Sequence, residues 1–237
     1  MSVSKDLIRI SFSKAISSYD KEILIQRQTA LELSHLEKDL KGHGVDLGCG
    51  TGMLTTILNQ DVVGLDISFG MAKIYKKKNK NVVVGDIENI PFKSNTFDFG
   101  VSNFALHWTD VKKSFQEVSR ILKPKGKFIF CMPVEGSLRI VEEILGEKNF
   151  DFYNPDFILN ELSKYFSIEE YYMKSYSVDF NNGLELLKHL HLTGSSIGKK
   201  GKTVGEKRNI YNKFKNYTKK TTLNFEVIFV NAVNLRF

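Results

Sequence analysis

Val45-Asp46-Leu47-Gly48-Cys49-Gly50-Thr51-Gly52 decides the fold. HGVDLGCG (43–50) reads as a buried strand running into a glycine turn, and TGMLTTILNQ (51–60) as the helix that follows. Glycines at such a turn let the backbone approach a ligand without Cβ interference. A helix start leaves unsatisfied N–H groups facing whatever binds there. The spacing is G-x-G-x-G, not the G-x-G-x-x-G of dinucleotide folds, whose third glycine allows close helix packing around a pyrophosphate. Asp46, two residues before the first glycine, would repel a pyrophosphate but welcome an ammonium or a sulfonium.

Outward from this turn the chain alternates. VVGLDIS (62–68) is a second strand, FGMAKIYKKK (69–78) a second helix, NVVVGDI (81–87) a third strand, and Phe97 to Ser102 hold a fourth. VKKSFQEVSRIL (111–122) is an amphipathic helix that stops at Lys123-Pro124, where proline forbids continuation, and GKFIFCMP (126–133) is a fifth strand. Alternation at this spacing predicts parallel βαβ units and an α/β sheet covered on both faces. Residues 1–40 read as helical, with Ile23, Leu24, Ala30, Leu31, Leu33 and Leu36 at three-to-four spacing. Residues 135–165 also read as helical, 167–180 as a strand, 183–220 as helix and Lys/Gly-rich loop, and LNFEVIFVNAVN (223–234) as a closing strand. The expectation is one domain over 1–237: a helical lid at 1–40, a ligand-binding core at 41–133, and cap insertions at 134–165 and 183–220.

The 237 residues suffice for one large domain, and 42% hydrophobic with 26% charged residues argues against disorder. No apolar run approaches the roughly 18–20 residues that a membrane span needs, and no signal peptide is visible at MSVSKDLIRISFSK. Two cysteines, Cys49 and Cys131, in apolar or glycine-rich segments exclude a disulfide scaffold and favour a reducing, cytoplasmic setting. No Cys/His cluster has zinc spacing, and no metal is expected. Lys and Arg number 34 against 27 Asp and Glu, a formal charge of +7. A basic chain attracts polyanions. Yet lysine dominates beside abundant Asn, Ile and Phe, the mixture an AT-rich genome produces without selection, so charge alone decides nothing.

Two further acids matter. Asp66 stands at the carboxyl end of the second strand, where an open α/β sheet places a carboxylate to accept hydrogen bonds from ribose hydroxyls. Asp86 follows the third strand in Gly85-Asp86-Ile87, placed to accept from an exocyclic amine such as that of adenine. Three strand-end carboxylates around one glycine turn, with no lysine among them, describe a cationic ligand bearing ribose and adenine and lacking phosphate.

These segments resemble the class I S-adenosylmethionine-dependent methyltransferases: VDLGCGTG, VVGLDIS, VVVGDIENIPF, FDFGVSNFALHW and LKPKGKFIF, in order over about residues 40–133. The resemblance implies a Rossmann-like, mostly parallel seven-stranded sheet with an antiparallel last strand. It implies S-adenosyl-L-methionine as cofactor, S-adenosyl-L-homocysteine as product, and a cofactor site of Asp46, Gly48, Cys49, Gly50, Gly52, Asp66, Ile67, Met71, Asp86, Ile87, Asn103, Phe104 and Trp108. Gly48, Cys49 and Gly50 would lie under the methionine part, Asp66 on the ribose, Ile67 on the adenine face, and Asp86 with Ile87 on the adenine edge. Asn103 would open the segment facing the methyl group.

Other pieces resemble the biotin-pathway malonyl-[acyl-carrier protein] O-methyltransferases. They are Phe12-Ser13-Lys14-Ala15, Tyr19-Asp20 and Gln26-Arg27-Gln28 before the core, His107-Trp108, Gly136-Ser137-Leu138-Arg139, Asn154, and Leu186 to Ser195. That last piece departs from the family pattern at His191, Thr193 and Ser195, and the segment after strand five is shorter than in the family. The resemblance implies an acyl carrier protein as partner. Tyr19 is the candidate lid residue. Arg139 is the candidate clamp for a substrate carboxylate, because a guanidinium fork matches carboxylate geometry. Phe150, Phe152, Tyr153, Tyr171, Tyr172 and Tyr176 either line a pantetheine channel or pack as core. Lys199, Lys200, Lys202, Lys207, Lys213, Lys215, Lys219 and Lys220 make 199–220 basic enough to steer an acidic carrier.

Other readings stay open. A quinone precursor or phenol acceptor wants a general base, for which His107 is the candidate. Nucleic acid is a further class, but base-modifying enzymes often carry an Asn/Asp-Pro-Pro-Tyr-like motif where this chain has Ser102-Asn103-Phe104-Ala105. A non-catalytic cofactor-binding protein would share the glycine turn and the acids.

Overall fold

The computed structural model describes residues 5, 6, 9, 24–36, 40–78, 81–148, 150–193 and 203–236. Tyr19, Phe12 to Ala15, Lys199, Lys200 and Lys202 lie outside them. Seven strands form one sheet: β1 (Gly44–Leu47), β2 (Val62–Asp66), β3 (Val82–Val84), β4 (Phe97–Asn103), β5 (Leu122–Pro133), β6 (Phe166–Phe180) and β7 (Thr221–Asn234), in the order β3-β2-β1-β4-β5-β7-β6. Neighbouring strands from β3 to β5 pair in parallel. β7 runs antiparallel between β5 and β6, which gives the mostly parallel sheet with one reversed closing strand expected from the sequence.

Helices cover both faces, as an all-but-one parallel sheet requires. They are α1 (Leu24–His35), α2 (Met53–Leu58), α3 (Phe69–Lys78), α4 (Val111–Ile121), α5 (Arg139–Leu145), α6 (Pro155–Leu162), α7 (Gly183–Leu192) and α8 (Val204–Asn216). α4 buries Val111, Ser114, Phe115, Val118, Ser119 and Ile121, the three-to-four spacing read from the sequence. Asp110 caps it by accepting from the Lys112 amide at 3.1 Å. One core packs α4 and α6 against Val45, Leu47, Phe128, Phe130 and Val230. The other packs Ile25, Ala30 and Leu33 of α1, with residues of α5, α7 and α8, against Val101, Ile129 and Phe229.

The structure adjusts several boundaries. α2 is six residues rather than ten, because Gly52 (φ +85°) still belongs to the turn and Asn59 (φ +51°) ends the helix in a left-handed cap. β5 begins at Leu122, four residues early: Leu122 pairs with Phe97, the register then shifts, and Lys127 pairs with Phe99. Pro124 falls in the shifted stretch, where its missing N–H costs no ladder bond. Within 135–165 the two stretches read as helical, SLRIVEEILG and FILNELSKYF, each hold a short helix, α5 and α6, separated by a link that contains Phe150, Phe152 and Tyr153.

Candidate active site

β1 lies between β2 and β4, and the crossovers leave it in opposite directions. A crevice therefore opens at the carboxyl ends of β1 and β4, the switch point where open α/β sheets bind ligands. The glycine turn forms its floor. The Gly48 and Cys49 amides donate to the Leu65 carbonyl at 2.8 and 3.0 Å, folding the turn against β2. Gly48 (φ +73°) has no room for a side chain, since a Cβ there would stand 2.2 Å from that of Ala105. Gly50 (φ +52°) faces open space: a Cβ would meet nothing within 4 Å.

A cavity of about 670 Å³, open mouth included, is lined by Lys5, Gly48, Gly50, Asp66, Ile67, Met71, Asp86, Ile87, Glu88, Asn103, Phe104, Ala105, Trp108 and Thr109. A second hollow shares Gly48, Gly50 and Asn103 with it and is walled by Gln26, Asp46, Cys49, Thr51, Met53 and Leu54. Twelve of the thirteen residues expected from the sequence for a cofactor line one or the other. Gly52 does not; it takes the left-handed conformation that starts α2.

The acids are held in different ways. Asp66 accepts from the Gly50 amide at 2.8 Å and the Ser68 amide at 2.7 Å, and burial pushes its pKa up to about 6. Each oxygen keeps a further lone pair for a ligand hydroxyl. Asp46 is buried and accepts from the Thr55 hydroxyl at 2.7 Å, and that hydroxyl meets Tyr75 Oη at 3.0 Å. Burial, with Asp66 nearby, pushes the Asp46 pKa up to about 7. Asp86 accepts from the Glu88 amide at 3.0 Å and from the Lys5 ammonium at 2.5 Å.

Lys5 corrects the sequence reading of a lysine-free acid ring. It arrives from the N-terminus, more than 80 residues from Asp86, so no local spacing announced it. It also pairs with Glu88 at 2.8 Å. Gln26, Thr51, Met53, Leu54, Glu88, Ala105 and Thr109 also line the two hollows and were not among the expected site residues. The Asp86-Ile87-Glu88 run alone carried a signal, a second acid two residues past a strand-end acid.

Asn103 joins α1 to the crevice. Its Oδ1 accepts from Thr29 Oγ1 at 2.8 Å and from Cys131 Sγ at 3.0 Å, and its Nδ2 donates to the Gln26 carbonyl at 2.9 Å. Phe104 follows in a left-handed conformation (φ +56°), strain of the kind that concentrates at functional sites. His107 does not line the cavity. Its ring lies 4.9–6.1 Å from those of Phe104, Trp108, Phe150 and Phe152, its Nδ1 is buried without a hydrogen-bond partner, and burial lowers its pKa to about 3. Arg139 opens α5 as an exposed side chain beside Gly136 and lines neither hollow. Among the described residues no group of three or more His, Cys, Asp or Glu is arranged to hold a metal ion, and no helix is long and apolar enough to cross a membrane.

The crevice fits a nucleoside that carries positive charge. Asp66 offers acceptors to a ribose, Ile67, Met71 and Ile87 are apolar walls for a ring, and the only cation among the described lining residues is already paired with acids. This topology with that glycine turn is the class I methyltransferase fold. Residues 45–130 match the methyltransferase domain family.

Among curated proteins, it is 43% identical over 129 residues to an uncharacterised protein of Methanocaldococcus jannaschii, covering 53% of this chain and 51% of that one. The chain thus spans about half the length of that relative. It is 28% identical over 216 residues to the malonyl-[acyl-carrier protein] O-methyltransferase of Yersinia pestis, covering 86% of this chain and 80% of that one. Among solved structures, geranyl diphosphate C-methyltransferase from Streptomyces coelicolor, in complex with S-adenosyl-L-homocysteine, superposes with a TM-score of 0.54. The identity there is 15%, covering 87% of this chain and 78% of that one, and it carries the likeness of fold.

Proposed function

We propose that this chain methylates the free carboxylate of a malonyl group carried on acyl carrier protein, forming the methyl ester at the start of biotin synthesis. One observation carries the reading. The wall running from the end of β4, Asn103, Phe104, Ala105, Trp108 and Thr109, holds no titratable side chain. An acceptor placed there must arrive already nucleophilic. A carboxylate does, its pKa lying near ~4; a phenol does not, and His107, neutral and enclosed by aromatic rings, is a poor base for one. The name and the 86% coverage of the Yersinia relative support the same substrate.

When bound, the cofactor would supply a methyl carbon on a sulfonium, to which a carboxylate oxygen would bond as the carbon–sulfur bond broke and left its electron pair on sulfur, with no proton to be moved. The protein's part is to orient, exclude water and bring donor and acceptor to roughly 3–3.5 Å. Asp66 and Asp86 would hold ribose and adenine, the glycine turn with Asp46 the methionine part, and Asn103 the wall beside the methyl. Tyr19 remains the proposed lid residue. Arg139 remains the proposed clamp for the substrate carboxylate, reached by a swing of its exposed side chain.

Purified protein incubated with a labelled methyl donor should label malonyl-carrier protein in preference to malonyl-CoA, quinone precursors or tRNA; label on any of the others replaces this substrate. Arg139→Ala should lose activity on the malonyl thioester at unchanged cofactor affinity, and wild-type turnover would place the clamp elsewhere.

A further inference from the structure

Asp86 is the acid proposed to accept the adenine amine, yet in the structure it is already occupied. The Lys5 ammonium bridges Asp86 Oδ2 at 2.5 Å and Glu88 Oε2 at 2.8 Å, and Lys5 itself lines the cavity. Glu88 cannot move to make room. Its other oxygen accepts from the Asp110 amide at 2.9 Å, at the cap of α4, and its side chain is only 8% exposed. The bridge therefore rests on a fixed acid and on the ligand-facing one.

We propose that Lys5 and the cofactor's adenine amine are alternative partners of Asp86, so that cofactor entry draws Lys5 off this carboxylate and out of the cavity. The proposal rests on the reading of Asp86 as the adenine partner. In the structure Lys5 neutralises two carboxylates about one cavity wall. Without it those carboxylates would repel each other and strand charge on a nearly buried Glu88. When the amine donates to Asp86, the ammonium loses one of its two acids. The partly exposed ammonium is then held in the cavity by Glu88 alone, an attachment open to screening by salt. Lys5 thus opposes binding at the adenine end while holding the two acids together.

The test is calorimetric, with S-adenosyl-L-homocysteine as probe on the full chain. Lys5→Ala and the isosteric Lys5→Met should each bind it about 3–10-fold more tightly than wild type, and raising salt should tighten wild type while leaving both variants nearly flat. S-inosyl-L-homocysteine offers a carbonyl oxygen where adenine has its amine. It accepts from Lys5 instead of competing with it, so Lys5→Ala should weaken this probe. Trypsin supplies an independent readout: cleavage after Lys5 should accelerate when S-adenosyl-L-homocysteine is bound. Equal or weaker binding by both Lys5 variants, or slower cleavage with ligand, overturns the exchange. Asp86→Ala in the Lys5→Met background separates the two ideas, since it removes the acceptor with no ammonium left to compete. If this double variant binds S-adenosyl-L-homocysteine as tightly as Lys5→Met alone, the adenine reading itself fails; if it weakens binding while the Lys5 variants do nothing, only the exchange fails.

Discussion

The backbone amide of Gly50 donates to Asp66 Oδ2 at 2.8 Å, so the loop that receives the ligand and the acid that would grip its ribose are one unit. The other Asp66 oxygen is held by the Ser68 amide at the start of α3. Replacing Asp66 with Ala removes a ligand acceptor and an anchor of the turn together. Hydrogen bonds to a charged group contribute about 1.5–3 kcal/mol each, so losing one should lower affinity for S-adenosyl-L-homocysteine roughly 10–150-fold. Asp66→Asn should be nearly as damaging, because its NH2 would point at one of two backbone donors. Calorimetry and a thermal melt on each variant check this; an unchanged dissociation constant would show that the ribose is held elsewhere.

The contact between Gly48 and Ala105 gives a second expectation. Gly48→Ala would drive two Cβ atoms to 2.2 Å and add a side chain at φ +73°. Overpacking of this kind costs about 1–3 kcal/mol and the left-handed backbone roughly 1–2 more. The variant should melt several degrees lower and lose cofactor binding. Combining it with Ala105→Gly removes the clash but not the backbone strain. The double variant should therefore recover part of the stability, and a double variant no better than the single one would refute the steric account.

Burial of Asp46 and Asp66 makes stability depend on pH with a definite sign. Their pKa values are pushed up to about 7 and about 6, against about 3.9 in an unfolded chain. Between these limits the folded protein holds protons that the unfolded chain has lost, so their contribution is full below about pH 4 and falls away as pH rises to 7. Asp98, lowered by its hydrogen bond from Lys123, and Glu117, lowered by Arg120, act oppositely and lose their contribution under acid conditions. Melting temperature should consequently peak on the acid side of neutrality. Affinity for the sulfonium cofactor should run the other way, tightening from pH 5.5 to 7.5 as the two acids ionise. Asp46→Asn can still accept from Thr55 and carries no charge. It should melt roughly 3–6 °C higher than wild type at pH 8 while binding cofactor more weakly. Melts and titrations across this range decide it.

What the sequence made legible was local. Val45 to Gly52 announced a strand, a turn and a helix because glycine freedom and apolar burial act over neighbouring residues. Asp66 and Asp86 followed because a parallel strand places its last residue at the crevice. What escaped was long-range. Lys5 reaches Glu88 and Asp86 across the cavity, and Asn103 binds Thr29 and the Gln26 carbonyl from another element. His107 illustrates the difference: the sequence offered it as the available base for a phenol acceptor, with Trp108 beside it as the sign of packing, whereas Phe150 and Phe152, more than 40 residues on, complete the enclosure. Arg139, chosen for its place after strand five, opens α5 with its side chain exposed.

The basic segment after α7 tests the proposed partner. Between residues 203 and 220 six Lys and Arg stand against Glu206 alone. Lys207, Arg208, Lys215, Lys219 and Lys220 are exposed, whereas Lys213 is taken up by the Leu145 carbonyl at the end of α5. Free surface cations of one sign add little to stability but steer an oppositely charged partner, and salt screens them over about 10 Å at 0.1 M. KM for malonyl-carrier protein should therefore rise several-fold between 50 and 300 mM salt, while KM for malonyl-CoA and the melting temperature change little. Lys215→Glu with Lys219→Glu should reproduce the high-salt KM at low salt and leave kcat untouched, because these side chains lie away from the cavity lining. A flat salt response in wild type would assign the positive charge to composition rather than to docking.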